Sequence, residues 1–124
     1  MGYEFHKDKK RYFEYQRINA DKYLIPFIEE VKKVGPGTEV LEIGCAEGGV
    51  LKAFLDRGCN GTGVELSDSR AQLASEYLEE EIQAGKAAII SKNIYDVDFE
   101  TEFGGKFDII VLKDVIEHLS LIYI

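Results

Sequence analysis

The stretch Val40-Leu41-Glu42-Ile43-Gly44-Cys45-Ala46-Glu47-Gly48-Gly49 decides the fold of this chain. An apolar strand over Glu39–Ile43 runs into a turn of small residues, and a helix over Gly48–Arg57 comes next, stopped by Gly58. A second strand over Gly61–Glu65 then ends on an acid. Strand, glycine turn, helix, strand and terminal acid make a nucleotide crevice, in which backbone approaches a ligand where side chains are missing. The Glu65 carboxylate offers two acceptor oxygens in one plane, which suits the paired hydroxyls of a ribose. The motif predicts an adenosine-containing cofactor.

Toward the C-terminus, Ser67-Asp68 supplies N-cap chemistry for a long helix from about Ser69 to Gln83, which Gly85 ends. A short apolar strand over Ala87–Ser91 comes after it, then a loop over 92–106 rich in acids and glycine. Phe107–Leu112 is apolar but for Asp108, the pattern of a strand buried on both faces. Toward the N-terminus, Tyr12, Tyr15 and Ile18, then Leu24, Phe27, Ile28 and Val31, recur at helical spacing over 8–34. Pro26 inside that pattern predicts two helices, or one kinked near Lys22–Ile25. Gly35-Pro36-Gly37 divides this N-terminal helical arm, residues 1–34, from a sheet domain over 35–124. Strands alternating with helices predict an α/β fold with a Rossmann-like, doubly wound parallel sheet.

The chain is one domain's worth of sequence or less, and its 45% hydrophobic residues can bury a core. A net charge of −8 argues against a dedicated nucleic-acid binder, which needs clustered Lys and Arg for phosphates. Lys7, Lys9, Lys10, Arg11 and Arg17 nevertheless make the arm locally basic, and they read as a solvated helix face. Cys45 and Cys59 are separated by a helix that holds them about 15 Å apart, beyond the reach of a disulfide. No apolar run approaches the ~18 residues of a membrane span, and Met1–His6 lacks the apolar stretch of a signal peptide. A cytoplasmic, reducing setting is expected, with no membrane and no metal.

Two cofactor classes suit such a crevice. Gly44-x-Ala46-x-x-Gly49 is one substitution from the dinucleotide fingerprint, so an NAD-dependent oxidoreductase is one reading. Against it, Ala46 puts a methyl group where backbone approaches a pyrophosphate, and Glu47 puts an anion at the helix N-terminus. A cofactor with no phosphate and a positive sulfonium meets neither objection.

These residues resemble the class I S-adenosylmethionine-dependent methyltransferases. Val40-Leu41-Glu42-Ile43-Gly44-Cys45-Ala46-Glu47-Gly48 is similar to their first motif, with Ala46 in place of the middle glycine, and Gly63-Val64-Glu65-Leu66-Ser67 to the second. Ser91-Lys92-Asn93-Ile94 stands at their adenine-contacting segment. Phe107–Val111 resembles their fourth strand, and Val115-Ile116-Glu117-His118-Leu119 the Glu-His-Leu segment beyond that strand. The resemblance implies S-adenosyl-L-methionine held by Glu42, Gly44, Cys45, Ala46, Gly48, Glu65, Leu66, Asn93 and Ile94. Within that set Glu42 would attract the ammonium of the methionine end, Glu65 the ribose, and Asn93 the adenine amino group, with Asp96 as the alternative polar neighbour.

His118 reads either as a structural contact or as a general base for a hydroxyl acceptor. Tyr3, Phe5, Tyr12, Phe13 and Tyr15 either pack the arm onto the sheet or offer an aromatic face to the sulfonium. The family continues past the fourth strand, so the chain reads as its cofactor-binding half, with strands ordered 3-2-1-4 and the sequence ending soon after the fourth. The last strand would be an open apolar edge, prone to self-association through 107–112 or covered by the Ser120–Ile124 tail. The expected function is methyl transfer to a small-molecule acceptor, and a non-catalytic binding module is a further alternative.

Overall fold

A computed structural model describes residues 2–112. The chain opens with helix α1 (Gly2–Asn19), passes through a π turn at Ala20–Leu24 and continues as α2 (Ile25–Glu29). The π turn answers the question posed by Pro26. Proline has no N–H to return to the carbonyl four residues back, and its ring crowds that carbonyl. The helix widens just before it, with the Ile25 N–H donating to the Ala20 carbonyl, five residues back.

The sheet is fully parallel, with strands β1 (Glu39–Ile43), β2 (Asn60–Glu65), β3 (Ala87–Ser91) and β4 (Ile109–Val111) in the order β3-β2-β1-β4, as expected. Helix α3 (Gly49–Asp56) links β1 to β2. The helix expected over 69–83 is two, α4 (Asp68–Tyr77) and α5 (Glu79–Gln83), broken at Leu78. Leu78, at φ −107° and ψ 19°, is fully buried and packs against the turn at Gly48. Ser67 caps α4, its hydroxyl accepting from the Arg70 N–H at 3.4 Å.

One apolar cluster joins α1, α2 and α3 to one face of the sheet through Phe13, Ile25, Leu51, Phe54, Val40 and Val111. A smaller cluster on the other face holds Leu41, Ile43, Val64 and Val97. The expectation that the last strand is buried on both faces is corrected here. Ile109 and Val111 are buried, whereas Ile110 between them is 55% exposed. Alternation along a strand sends Ile110 to the second face, and its apolar type alone does not reveal how thinly that face is covered at β4. The strand is also shorter than expected. Asp108 precedes it, donating its N–H to the Glu39 carbonyl at 2.8 Å and accepting the Glu39 N–H on its carboxylate at 2.9 Å.

The loop over 92–106 contains a 3-10 turn (Ile94–Asp96) and a π turn (Phe99–Phe103). Both cysteines are free and buried, and no helix among the described residues is long and apolar enough to cross a membrane. Phe13 packs the arm onto the core, while Tyr12 and Tyr15 are exposed.

Candidate functional site

The turn after β1 is anchored from both sides. Gly44 N–H and Cys45 N–H both donate to the Val64 carbonyl of β2, at 2.7 and 3.2 Å, and Gly48 N–H donates back to the Cys45 carbonyl at 2.9 Å. Between these anchors the backbone takes left-handed values at Gly44 (φ 77°), Ala46 (φ 50°) and Gly48 (φ 91°). Glycine adopts such values without a Cβ clash, and Ala46 is the described non-glycine residue that does so. Gly49, the first residue of α3, is required for a different reason. A Cβ there would overlap the Phe13 carbonyl oxygen of α1.

Glu65, at the end of β2, is 8% exposed and spans the mouth of the crevice. One carboxylate oxygen accepts the Ala46 N–H at 2.8 Å, and the other accepts the Ser67 N–H at 2.9 Å. Each oxygen keeps a second lone pair, so the two amides fix the carboxylate without exhausting it as an acceptor. Glu42 lies inside β1, opposite Gly63 on one side and Val111 on the other, and is almost fully buried. Glu42, Glu47 and Glu65 are the buried charged side chains among the described residues, and all three belong to this turn or its flanking strands. The Cys45 thiol reports their combined field: burial, then Glu42, Glu65 and Glu47, push its pKa well above the ordinary thiol range.

The two parallel registers bring the third segment alongside. Glu65 pairs with Ser91, and Lys92 N–H donates to the Glu65 carbonyl at 3.0 Å, so 92–94 runs beside the end of β2. The Asn93 side-chain oxygen accepts the Tyr95 N–H at 3.0 Å and caps the 3-10 turn. Ile94 is half-buried against the second cluster, and Leu66 stands 68% exposed next to Glu65. Ser91 also hydrogen-bonds Asp68 at the start of α4. Glu42, Gly44, Cys45, Ala46, Gly48, Glu65, Leu66, Asn93 and Ile94 therefore lie at the carboxyl ends of three adjacent parallel strands, the ligand side of an open α/β sheet. His118 lies outside the described residues.

Two expectations about charge need correcting. Glu47 does not confront a ligand as an unopposed anion. Its carboxylate is 1% exposed and paired with Lys9 of α1 at 3.0 Å, with Arg70 of α4 at 3.8 Å. The objection to a diphosphate thus rests on the Ala46 methyl group and on the buried Glu42, since an acid at Glu65 suits the ribose of either cofactor. The basic arm is solvated only in part: Lys10 and Arg11 are exposed, as expected of such a face, while Lys9 and Arg17 are partly buried. Lys9 is 22% exposed in its pair with Glu47, Lys10 lies over the rings of Phe13 and Tyr77, and Arg17 meets Glu14 and Asp56. The run of cations is the legible signal, but Glu47 and Asp56, which pair with Lys9 and Arg17, sit far off in sequence.

Comparison with known proteins bears on the family and the fold. The family model described as a methyltransferase domain matches residues 12–121. The ubiquinone biosynthesis O-methyltransferases of Pseudomonas aeruginosa and Coxiella burnetii are 28% and 29% identical over 83 residues, which is 67% of this chain. The chain spans about a third of the length of these curated relatives, 34% and 33%. Magnesium protoporphyrin IX methyltransferase from Synechocystis, solved with bound SAM, shares the fold at a TM-score of 0.65 and 18% identity, over 86% of this chain and 47% of its own. A putative sarcosine dimethylglycine methyltransferase from Galdieria sulphuraria does so at 0.55 and 13%, over 61% and 29%.

Proposed function

The chain belongs to the methyltransferase domain family, and from that membership we propose that it forms the cofactor-binding part of an S-adenosylmethionine-dependent methyltransferase acting on a small molecule. The observation that carries this reading is the gathering of Glu42 and Glu65, both buried, around a glycine turn. An acidic crevice favours a ligand with a sulfonium and an ammonium and disfavours a pyrophosphate. Glu65 would serve a ribose in either cofactor, so it is Glu42, together with the family membership, that speaks against the NAD-dependent alternative.

Each residue then has a task that its position supports. Glu65 accepts the ribose hydroxyls on the lone pairs that Ala46 and Ser67 leave open. Glu42 draws the ammonium group, and the turn from Gly44 to Gly48 gives the methionine end a backbone wall. Leu66 and Ile94 flank the adenine, with the Asn93 amide at its polar edge. The bound cofactor supplies an activated methyl group for in-line displacement, and the protein's share of the rate is alignment of the acceptor with it. The names of the two curated relatives support an oxygen nucleophile on that acceptor. A cytoplasmic, reducing setting belongs to the same reading, supported by two free buried thiols.

Calorimetry with S-adenosylhomocysteine and with NAD tests it. The chain should bind the first and not the second. Glu65→Ala should weaken binding at least tenfold, since a charge-assisted hydrogen bond contributes about 1.5–3 kcal/mol. Gly44→Val, which forces a β-branched side chain to a left-handed φ, should abolish binding. Tight NAD binding would remove the cofactor assignment, and unchanged affinity in a folded Glu65→Ala protein would remove Glu65 from the site.

A further inference from the structure

Resting on that cofactor reading, we propose that Lys9 is a positioning residue for the cofactor: its ion pair with Glu47 holds the glycine turn in binding geometry, so docking of α1 and cofactor affinity are coupled. Lys9 acts through Glu47.

Glu47 occupies the most demanding position of the turn. It stands between Ala46 and Gly48, both at left-handed φ, and such backbone persists only where its surroundings over-determine it. On one side Ala46 N–H is tied to Glu65, the ribose acid. On the other, the Glu47 side chain is tied to the arm at Lys9, 3.0 Å away. One peptide unit therefore separates a bond to the cofactor-binding carboxylate from a bond to α1. At 1% exposure the Glu47 carboxylate has no solvent to fall back on, and Arg70, the second cation, is 3.8 Å off and 49% exposed. Removing the closer cation leaves a buried charge poorly compensated, and a shift of the turn is one way to relieve it.

The rest of α1 is fastened to the same place. Phe13 is 2% exposed with its ring 4.9 Å from that of Tyr77, Lys10 covers both rings, and the α1 backbone at Phe13 lies directly on Gly49. A shift of the arm thus reaches the turn twice, through a charge and through backbone contact.

The test compares S-adenosylhomocysteine affinity with melting temperature in the wild-type chain, Lys9→Met, Glu47→Gln, the double variant Lys9→Met/Glu47→Gln, and Gly49→Ala. Lys9→Met should melt lower and bind at least tenfold more weakly. The double variant buries no charge at this pair, so its melting temperature should return to within a few degrees of wild type. Its affinity should stay at least tenfold weak, because nothing then fixes residue 47. Double-variant binding within twofold of wild type would make the pair merely structural and overturn the proposal. Gly49→Ala pushes α1 off the turn without altering a charge, and it decides the matter if Lys9→Met does not fold. Weaker binding by the folded Gly49→Ala protein is expected, and wild-type affinity there would also overturn the coupling. Loss of affinity confined to variants leaves the cofactor reading intact, whereas a folded wild-type chain that binds no S-adenosylhomocysteine would sink that reading and this inference with it.

Discussion

Of the three crossovers that join the parallel strands, the first and the last are built differently. Between β1 and β2 the chain passes through the glycine turn and α3, where Val50, Leu51, Ala53, Phe54 and Leu55 are all buried. Between β3 and β4 it passes through two single helical turns, whose first residues are capped by the side chains of Asn93 and Asp98, and among the side chains described there Val97 is the buried apolar one, with Ile94, Phe103 and Phe107 partly buried beside it. The first crossover is held by core packing; the last is held mainly by local hydrogen bonds. A site that demands left-handed backbone at Ala46 belongs on the first, because only a packed scaffold can enforce such a conformation. The last crossover belongs to the low-stability end of the molecule, where few apolar contacts oppose local opening.

The largest effect that can break this contrast is a truncation in each of the two. Phe54→Ala removes a fully buried ring from α3 and should cost about 3–5 kcal/mol in denaturant unfolding. Phe103→Ala removes a half-buried ring packed edge-on to Phe107 at 5.4 Å, and should cost less than half as much. Equal costs would show that the two crossovers share one cooperative core.

A smaller effect sharpens the account of the turn itself. Replacing alanine by glycine ordinarily destabilises a fold by about 0.5–1 kcal/mol through backbone entropy. At Ala46 the sign should reverse or the change should vanish. A left-handed L-residue is strained by roughly 1–2 kcal/mol, and glycine releases that strain. Ala46→Gly should therefore leave the protein as stable as wild type, or about 1 kcal/mol more stable, with cofactor binding kept. A loss of stability in thermal unfolding would mean that the turn does not hold its left-handed backbone in solution.

The contrast also explains what is legible in the sequence. The bounds of β1 and β3 and the Ser67 cap come from apolar runs, small-residue turns and cap chemistry, all local in sequence, whereas the strand order is what the family resemblance implies. The crevice acids are legible for the same reason: Glu42 and Glu65 stand at fixed places relative to the turn. Residues 92–106 carry no periodic signal, because a 3-10 turn and a π turn are too short to repeat an apolar face. Lys9 reads as solvated because its partner, Glu47, lies far along the chain and meets it only when α1 crosses the start of α3. Ile110 reads as buried because apolar type says nothing about how much of the second layer reaches β4.

The smallest effect concerns the hydrogen bonds that hold the last crossover. The Asp98 carboxylate accepts the Thr101 N–H at 3.2 Å and the Thr101 hydroxyl at 2.9 Å, and these bonds hold its pKa below the ordinary aspartate range. A carboxyl group depressed in the folded state stabilises it above the unfolded pKa, near ~3.9, and loses that contribution as pH falls through the folded pKa. The Thr101 amide resonance should therefore keep one position from neutral pH down past ~3.9 and shift only below it, with little change in global melting because the group is exposed. Asp98→Asn should erase the titration. Helix α3 offers the control: Gly48 caps it without a side chain, so its first amides have no such capping carboxylate to follow. A Thr101 midpoint at or above the ordinary value would mean that the cap is not formed in solution, and the last crossover would then lack the bonds assigned to its π turn.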